Sequence, residues 1–353
     1  MSPAGPNAET DMERIVLDVD SAGDDILAVL YAAASPDIRL EGVTTVTGAA
    51  GPIEQVTNVV LNTLSLAGRD DIPVAAGAWR PIVGNAKEDM EAPVNVEKQL
   101  IARYGERLKT FNPKAPPPRR PAHERHAVDF LIDTVLAAPG EITVVATGPM
   151  TNLGLAILQE PRFAASVKRF LLLGGCFGTP GNMTPVSEYN IWADPEAARI
   201  VLNAGADTIL VPLDVCEDNR AATGMMTRDD LYDLDEAATD NPVARMIIDV
   251  FPIYIDIWRE FFALMGFPMD DVITVALAAV PDICTMTEPR FVDVVLDGRL
   301  ARGQTVAYHG RQILPGGGPA TTRVCTGIDG RRFMRMFKDA IARYERSGGE
   351  PSR

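Results

Sequence analysis

A single α/β domain is the fold this sequence predicts, with a mostly parallel central sheet, flanking helices and a site at the strand C-terminal ends. Three observations carry it. Short aliphatic runs rich in β-branched residues recur along the 353 residues, and several lead into a segment of helical spacing; that alternation marks βαβ units. A hydrophobic content of 46% at this length is enough to bury a sizeable core. The sharpest polar clusters fall just after the apolar runs, where parallel sheets bind their ligands.

In chain order, "RIVLDVD" reads as the first strand and "DDILAVLYAAA" as the helix after it. "LEGVTTVTG" and "PIEQVTNVVLNTLSLAG" repeat the pattern, as do "EITVVATG" and "TNLGLAILQ"; "VKRFLLLGG" and "DTILVPLDV" read as further strands. Two stretches break the alternation. Residues 84–126 are polar, proline-rich and partly basic, a long loop or insert that is either a lid over the site or a surface excursion. Residues 226–268 read as a helical region, with Ile253, Ile257 and Phe261 four apart. The domain is expected over 14–345, with disordered tails at 1–13 and 346–353.

Composition excludes several partners. With 33 basic against 48 acidic residues the formal charge is −15, which repels nucleic acid and anionic membrane surfaces. Cys176, Cys216, Cys284 and Cys325 form no CxxC pair, as expected of reduced, buried thiols in a cytoplasmic protein. The opening "MSPAGPNAETDMER" lacks the apolar stretch of a signal peptide, and no run is long and apolar enough for a membrane span.

The chemistry concentrates in "IVLDVDSAGDD", where Asp18, Asp20, Asp24 and Asp25 lie within eight residues of one another. On a strand, Asp18 and Asp20 share a face; Asp24 and Asp25 then enter the first turn of the next helix, where negative charge is favoured and one of them could serve as a cap. A cap does not account for all four. Carboxylates gathered beside an apolar core must protonate or share a cation. Oxygen-only ligands select calcium or magnesium, and Asp270 and Asp271, at the head of "DDVITVALA", are candidates for completing the set.

"DVDSAGDD" resembles the DxDPGxDD signature of the nucleoside hydrolases, the inosine-uridine-preferring N-ribohydrolases. "GVTTVTG", "DIPVAAGA", "VVATGPMTNLGLAI", "LLLGG", Gly181-Asn182 and "SEYNIWADPEAA" follow in the family's order. The resemblance implies calcium at the strand ends, held by Asp20, both carboxylate oxygens of Asp25, the Thr147 carbonyl and Asp271. It also implies that Asp20 is the catalytic base, that Asp18 orients the water, and that Asp24, Asn182, Glu188 and Asn190 bind ribose. The implied reaction is hydrolysis of a ribonucleoside to ribose and free base by a metal-activated water, in a homodimer or homotetramer.

The chain departs from the family pattern in three places. Ser21 and Ala22 replace the usual proline and glycine, with a glycine at Gly23. Ala49 stands where an asparagine usually contacts substrate. Asp270 occupies the position where many members carry a histidine that protonates the leaving base. For that side of the site the sequence offers Asp270 itself, which is either an acid or a helix cap. It also offers His123 and His126 from the insert, and stacking by Trp79, or by Trp258 with Tyr254. Two competing readings stay open at this stage: a nucleoside-binding protein that has lost turnover, and an Asp-x-Asp phosphatase with Asp18 as nucleophile.

Overall fold

The computed structural model describes residues 12–84, 102–105, 117–217, 224–237, 240–308 and 318–344. Its strands are β1 (Glu13–Val19), β2 (Ile38–Thr45), β3 (Val74–Ala76), β4 (Thr143–Ala146), β5 (Arg169–Leu173), β6 (Thr208–Val211), β7 (Met225–Met226), β8 (Phe267–Pro268), β9 (Cys284–Met286), β10 (Val292–Val294), β11 (Thr305–Ala307) and β12 (Thr322–Ile328). Eight form the central sheet in the order β3-β2-β1-β4-β5-β6-β12-β9. Neighbours run parallel except at the edge, where β9 is antiparallel to β12.

Alternation along β1 divides the core. Ile15, Leu17 and Val19 pack with the helices Gly23–Ala34, Ile53–Leu66, Pro242–Phe261, Asp270–Ala279 and Gly330–Ala342. Val16 faces the helices Ala127–Ala137, Thr151–Gln159 and Pro195–Leu202 on the opposite side. A strand covered on both faces has no solvated side, hence the unbroken apolar run of its sequence. Each fully buried aliphatic or phenylalanine side chain stabilises the fold by about 1.5–3 kcal/mol, and the middle of β1 is without exposed surface.

The strand order reverses between β1 and β4. β2 and β3 lie on one side of that seam, β5 and β6 on the other. In open α/β sheets ligands bind at such a switch point, outside the carboxyl ends of the two central strands. The polar clusters after "RIVLDVD" and "EITVVATG" are thereby brought face to face.

The first strand begins at Glu13, one residue earlier than expected, and Glu13 pairs with Lys168 at 2.5 Å. The tails lie outside the described residues at 1–11 and 345–353, as does most of the 84–126 insert. Of that insert, residues 102–105 rest against the end of the Pro242–Phe261 helix: the Tyr104 hydroxyl bonds Glu260, and the Arg103 guanidinium lies 5.9 Å from the Phe261 ring centre. Residues 226–268 comprise the helices Arg228–Ala237 and Pro242–Phe261, with β7 and β8 pairing at the two ends. The four cysteines are buried and free. Among the described residues, no helix is long and apolar enough to cross a membrane.

Candidate active site

At the seam the chain turns sharply after β1. Thr147 N–H donates to the Asp18 carbonyl at 2.9 Å, tying the loop after β4 to the end of β1. Ser21 has φ +61°, a left-handed conformation that costs a non-glycine residue roughly 1–2 kcal/mol. Its hydroxyl donates to the Val56 carbonyl at 3.0 Å, which offsets part of that strain. The turn thus forms without the family's proline and glycine. Gly23 is needed for a different reason: a Cβ there would press into the Tyr254 ring.

Asp25 is both a cap and a site residue. Its Oδ2 accepts the Ala22 N–H at 3.0 Å and the Asp20 N–H at 3.2 Å, closing the first turn of the helix. Its Oδ1 takes the Thr147 hydroxyl at 2.6 Å. Asp20 Oδ2 accepts the Ala49 N–H at 2.8 Å, so the position that lacks an asparagine side chain still supplies a backbone donor to the proposed base. Asp18 is fully buried; its Oδ1 accepts from Thr44 at 2.5 Å and Asn152 at 2.8 Å, while its Oδ2 has no partner.

Asp270 and Asp271 open the Asp270–Ala279 helix. The expectation that Asp270 is a helix cap does not hold: the cap position is Met269, Asp270 is only 7% exposed, and its Oδ1 is buried without a partner. The Asp271 carboxyl lies in hydrogen-bonding contact with those of Asp24 and Asp25, and the Asp25 carboxyl with that of Asp20.

Burial pushes every one of these carboxyls upward. Asp18 and Asp24 rise to about 6 and Glu188 to about 7; Asp25 is raised, and Asp20, Asp270 and Asp271 are held well above the usual carboxylate range. Mutual repulsion adds to burial, as Asp20 feels Asp25 and Asp271 feels Asp24, Asp25 and Asp20. Among the described residues, none of them forms an ion pair with a lysine, arginine or histidine.

The donor set fits a hard cation. It consists of oxygens only, the carboxylates touch in pairs that a positive charge would relieve, and two buried carboxylate oxygens are orphaned. The carboxylates do not form a closed cage: among the described residues no group of three or more histidine, cysteine, aspartate or glutamate side chains is gathered as a ready metal centre.

The ribose candidates divide. Asn182 Oδ1 is buried and unpartnered. Both Glu188 oxygens are engaged, accepting N–H groups of Asn190, Ile191 and Gly175 at 2.7–3.1 Å. Asn190 donates to the Thr147 carbonyl at 2.7 Å, holding the group expected to face the metal. Tyr254 stacks on Phe251 and lies against Gly23; Trp258 sits one turn along in the same cluster, 5.3 Å from Phe267 between ring centres. Trp79 is 53% exposed, with Arg80 5.0 Å from its ring centre.

The two described histidines are engaged elsewhere. His126 Nδ1 caps the Ala127–Ala137 helix by accepting the Val128 N–H, and His123 stands edge-on to Phe130. His123 precedes that helix, and its backbone N–H donates to the Val74 carbonyl of β3 at 2.7 Å. His309 lies outside the described residues.

Sequence reading gave no role to Thr44 and Asn152, which hold Asp18, or to Glu217. Glu217 follows β6 in "DVCED" and is raised to about 7 by burial, then by Glu188 and Asp24. An acidic residue closing the apolar stretch that begins at β6, after the short helix Leu213–Cys216, was the available signal.

Sheet order and acidic seam together define an α/β fold with a cluster of buried carboxylates at the switch point of its sheet. The profile of the inosine-uridine preferring nucleoside hydrolases matches residues 15–335, and the chain belongs to that family. It is 32% identical over 335 residues to a probable uridine nucleosidase 2 of Arabidopsis thaliana, covering 94% of this chain and 98% of that protein. A pyrimidine-specific ribonucleoside hydrolase of Citrobacter koseri is 31% identical over 331 residues, with the same coverage. Among solved structures, a plant nucleoside hydrolase superposes with a TM-score of 0.80 at 28% identity, covering 94% of this chain and 99% of that one. A purine-preferring ribonucleoside hydrolase from Gardnerella vaginalis also gives 0.80, at 26% identity, covering 94% and 98%. By family and fold the protein is an N-glycosyl hydrolase, which sets the phosphatase reading aside.

Proposed function

We propose that this protein hydrolyses the N-glycosidic bond of ribonucleosides, releasing ribose and free base, with calcium as its metal and Asp20 as general base. The observation that carries the reading is the buried carboxylate cluster at the β1–β4 seam, without a cationic side chain among the described residues, in a chain of this family. Asp20, Asp25, Asp271 and the Thr147 carbonyl would hold calcium, which when bound supplies an acidified water and a template for the ribose hydroxyls. Asp20, fixed by the Ala49 N–H, accepts the proton of the attacking water. Asp18, held by Thr44 and Asn152 through one oxygen and with its other oxygen free of partners, orients that water.

Asp24 and Asn182 bind ribose hydroxyls, while Glu188 and Asn190 shape the wall behind them. Tyr254 and Trp258 form the aromatic side of the base pocket, since Tyr254 touches the acidic turn at Gly23 and its hydroxyl feels the charge of Asp24. The exposed Trp79 and the two histidines are left without a role in this scheme.

The test is release of free base from a purine and pyrimidine ribonucleoside panel, with and without chelator. Base release that chelator abolishes and calcium restores is the expected result. Tight ribonucleoside binding by calorimetry with no release from any member would overturn it in favour of a binding protein. A homodimer or homotetramer, as the resemblance implies, is checked by light scattering.

A further inference from the structure

We propose that Asp214 is a positioning residue for ribose recognition: its carboxylate clasps the loop between β5 and the Tyr189–Ala193 helix and thereby sets the place of Asn182. This rests on the hydrolase reading, in which Asn182 takes a ribose hydroxyl, and adds a residue that does not itself touch the substrate.

Both ends of the loop are fixed by other groups. After β5 the Gly174 N–H donates to the Val211 carbonyl of β6 at 3.0 Å, and the Leu213 N–H donates to the Gly175 carbonyl at 3.0 Å. The Thr305 hydroxyl, on β11, donates to the Cys176 carbonyl at 2.9 Å and accepts the Cys176 N–H at 3.1 Å. At the far end the Ser187 hydroxyl donates to the Gly303 carbonyl at 2.9 Å.

Between those ends the loop hangs on Asp214. Its Oδ2 accepts the Phe177 N–H at 2.8 Å, and its Oδ1 accepts those of Gly178 at 2.5 Å and Thr179 at 3.2 Å. Among the described residues, these are the hydrogen bonds that join residues 177–186 to the rest of the protein. The others close the loop on itself, from the Gly181 N–H to the Pro185 carbonyl and from the Met183 and Thr184 N–H groups to the Ser187 carbonyl. Asn182 stands three residues past the clasp, with its Oδ1 buried and unpartnered.

A carboxylate suits this task. Phe177 and Gly178 are exposed, so their N–H groups face competition from water, and an ionised acceptor holds them about twice as strongly as a neutral one. Gly178 lies so close that a Cβ there would come within 3.1 Å of Asp214 Oδ1. Because water can replace the carboxylate at exposed donors, loss of the clasp frees the loop without stranding buried groups. Binding is therefore separable from folding.

The experiment measures kcat and KM of the calcium-loaded enzyme for uridine and inosine, with melting temperatures, in the wild type, Asp214→Ala, Asp214→Asn, Asn182→Ala and the Asp214→Ala/Asn182→Ala double variant. Asp214→Ala should raise KM about tenfold and change kcat by less than about threefold, the signature of lost uniform binding. Its melting temperature should stay within about 4 °C of wild type. Asp214→Asn keeps one acceptor oxygen and should raise KM less. In the Asn182→Ala background the Asp214 substitution should change KM by less than about twofold, since the two residues act as one unit.

Gly178→Ala, which presses on Oδ1 from the loop side, is the second variant; it should raise KM about threefold and lose that effect when Asn182 is alanine. An unchanged KM, a loss confined to kcat, or a rise in KM that persists in full without Asn182 overturns the inference and leaves the hydrolase reading intact. If the wild type binds these nucleosides but releases no base, the hydrolase reading falls alone, and the same cycle read as Kd by calorimetry decides the inference. Neither binding nor release overturns both.

Discussion

Replacing Asn152 by alanine tests how the site is held together. The Asn152 side chain is fully buried at the start of the Thr151–Gln159 helix. Its Nδ2 donates to Asp18 Oδ1 at 2.8 Å and to the Thr45 carbonyl at 2.9 Å, and its Oδ1 accepts the Ala78 N–H at 2.9 Å. One amide thus joins the ends of β1, β2 and β3. Alanine strands three groups: the Thr45 carbonyl, the Ala78 N–H and, in part, Asp18, which keeps Thr44. Each buried group left unpaired costs about 1–3 kcal/mol, so the expected loss is about 3–6 kcal/mol.

Alanine is the better helix former, which excludes a propensity effect as the cause. By the usual scaling for large domains, the melting temperature should fall by roughly 5–10 °C in a calorimetric scan of the calcium-loaded protein. Turnover should fall by about tenfold or more, because Asp18 loses one of the two donors that fix it. A melting temperature within a degree of wild type, together with unchanged kcat/KM, would refute the reasoning.

Four further outcomes are expected. Asp20→Ala should lower kcat by about a thousandfold, within the range for loss of a general base, in a base-release assay; near-normal turnover would remove Asp20 from the mechanism. Calcium at about a hundred times its dissociation constant should stabilise the protein by about 2.7 kcal/mol against chelator. In chelator, Asp18, Asp24 and Glu188 have folded-state pKa values of about 6, 6 and 7, above the ordinary 3.8 and 4.5. The folded state therefore binds more protons, and stability is lost as pH rises through 6–7 and regained on acidification. Stability of the metal-free protein that rises between pH 5.5 and 7.5 would contradict this. Gly23→Ala should force Tyr254 off the acidic turn at a cost of about 1–3 kcal/mol, read as a lower melting temperature and a raised KM for nucleosides.

Much of the fold was legible because β1, β2 and β4–β6 are short, apolar and followed by polar clusters, a pattern set by burial on both faces. β7 to β11 span only two or three residues each, too short for any period to show. In the site, four aspartates in eight residues announced the need for a cation, whereas Asn152 and Thr44 carried no signal of their own. They matter only through what they touch.

The sequence by itself determined the α/β alternation, the acidic turn after the first strand and the Asp270-Asp271 pair ahead of an apolar helix. Only the tertiary structure decided where those residues sit and what they touch. The strand order puts the seam between β1 and β4, so Thr147 from the loop after β4 reaches Asp25 across it, and Asp25 in turn meets Asp20. Packing of the Asp270–Ala279 helix buries Asp270 instead of leaving it as an exposed cap, and places it opposite Glu217. The physical reason is that a carboxylate's chemistry is set by its desolvation and by the charges around it, and both belong to contacts between residues far apart in the chain.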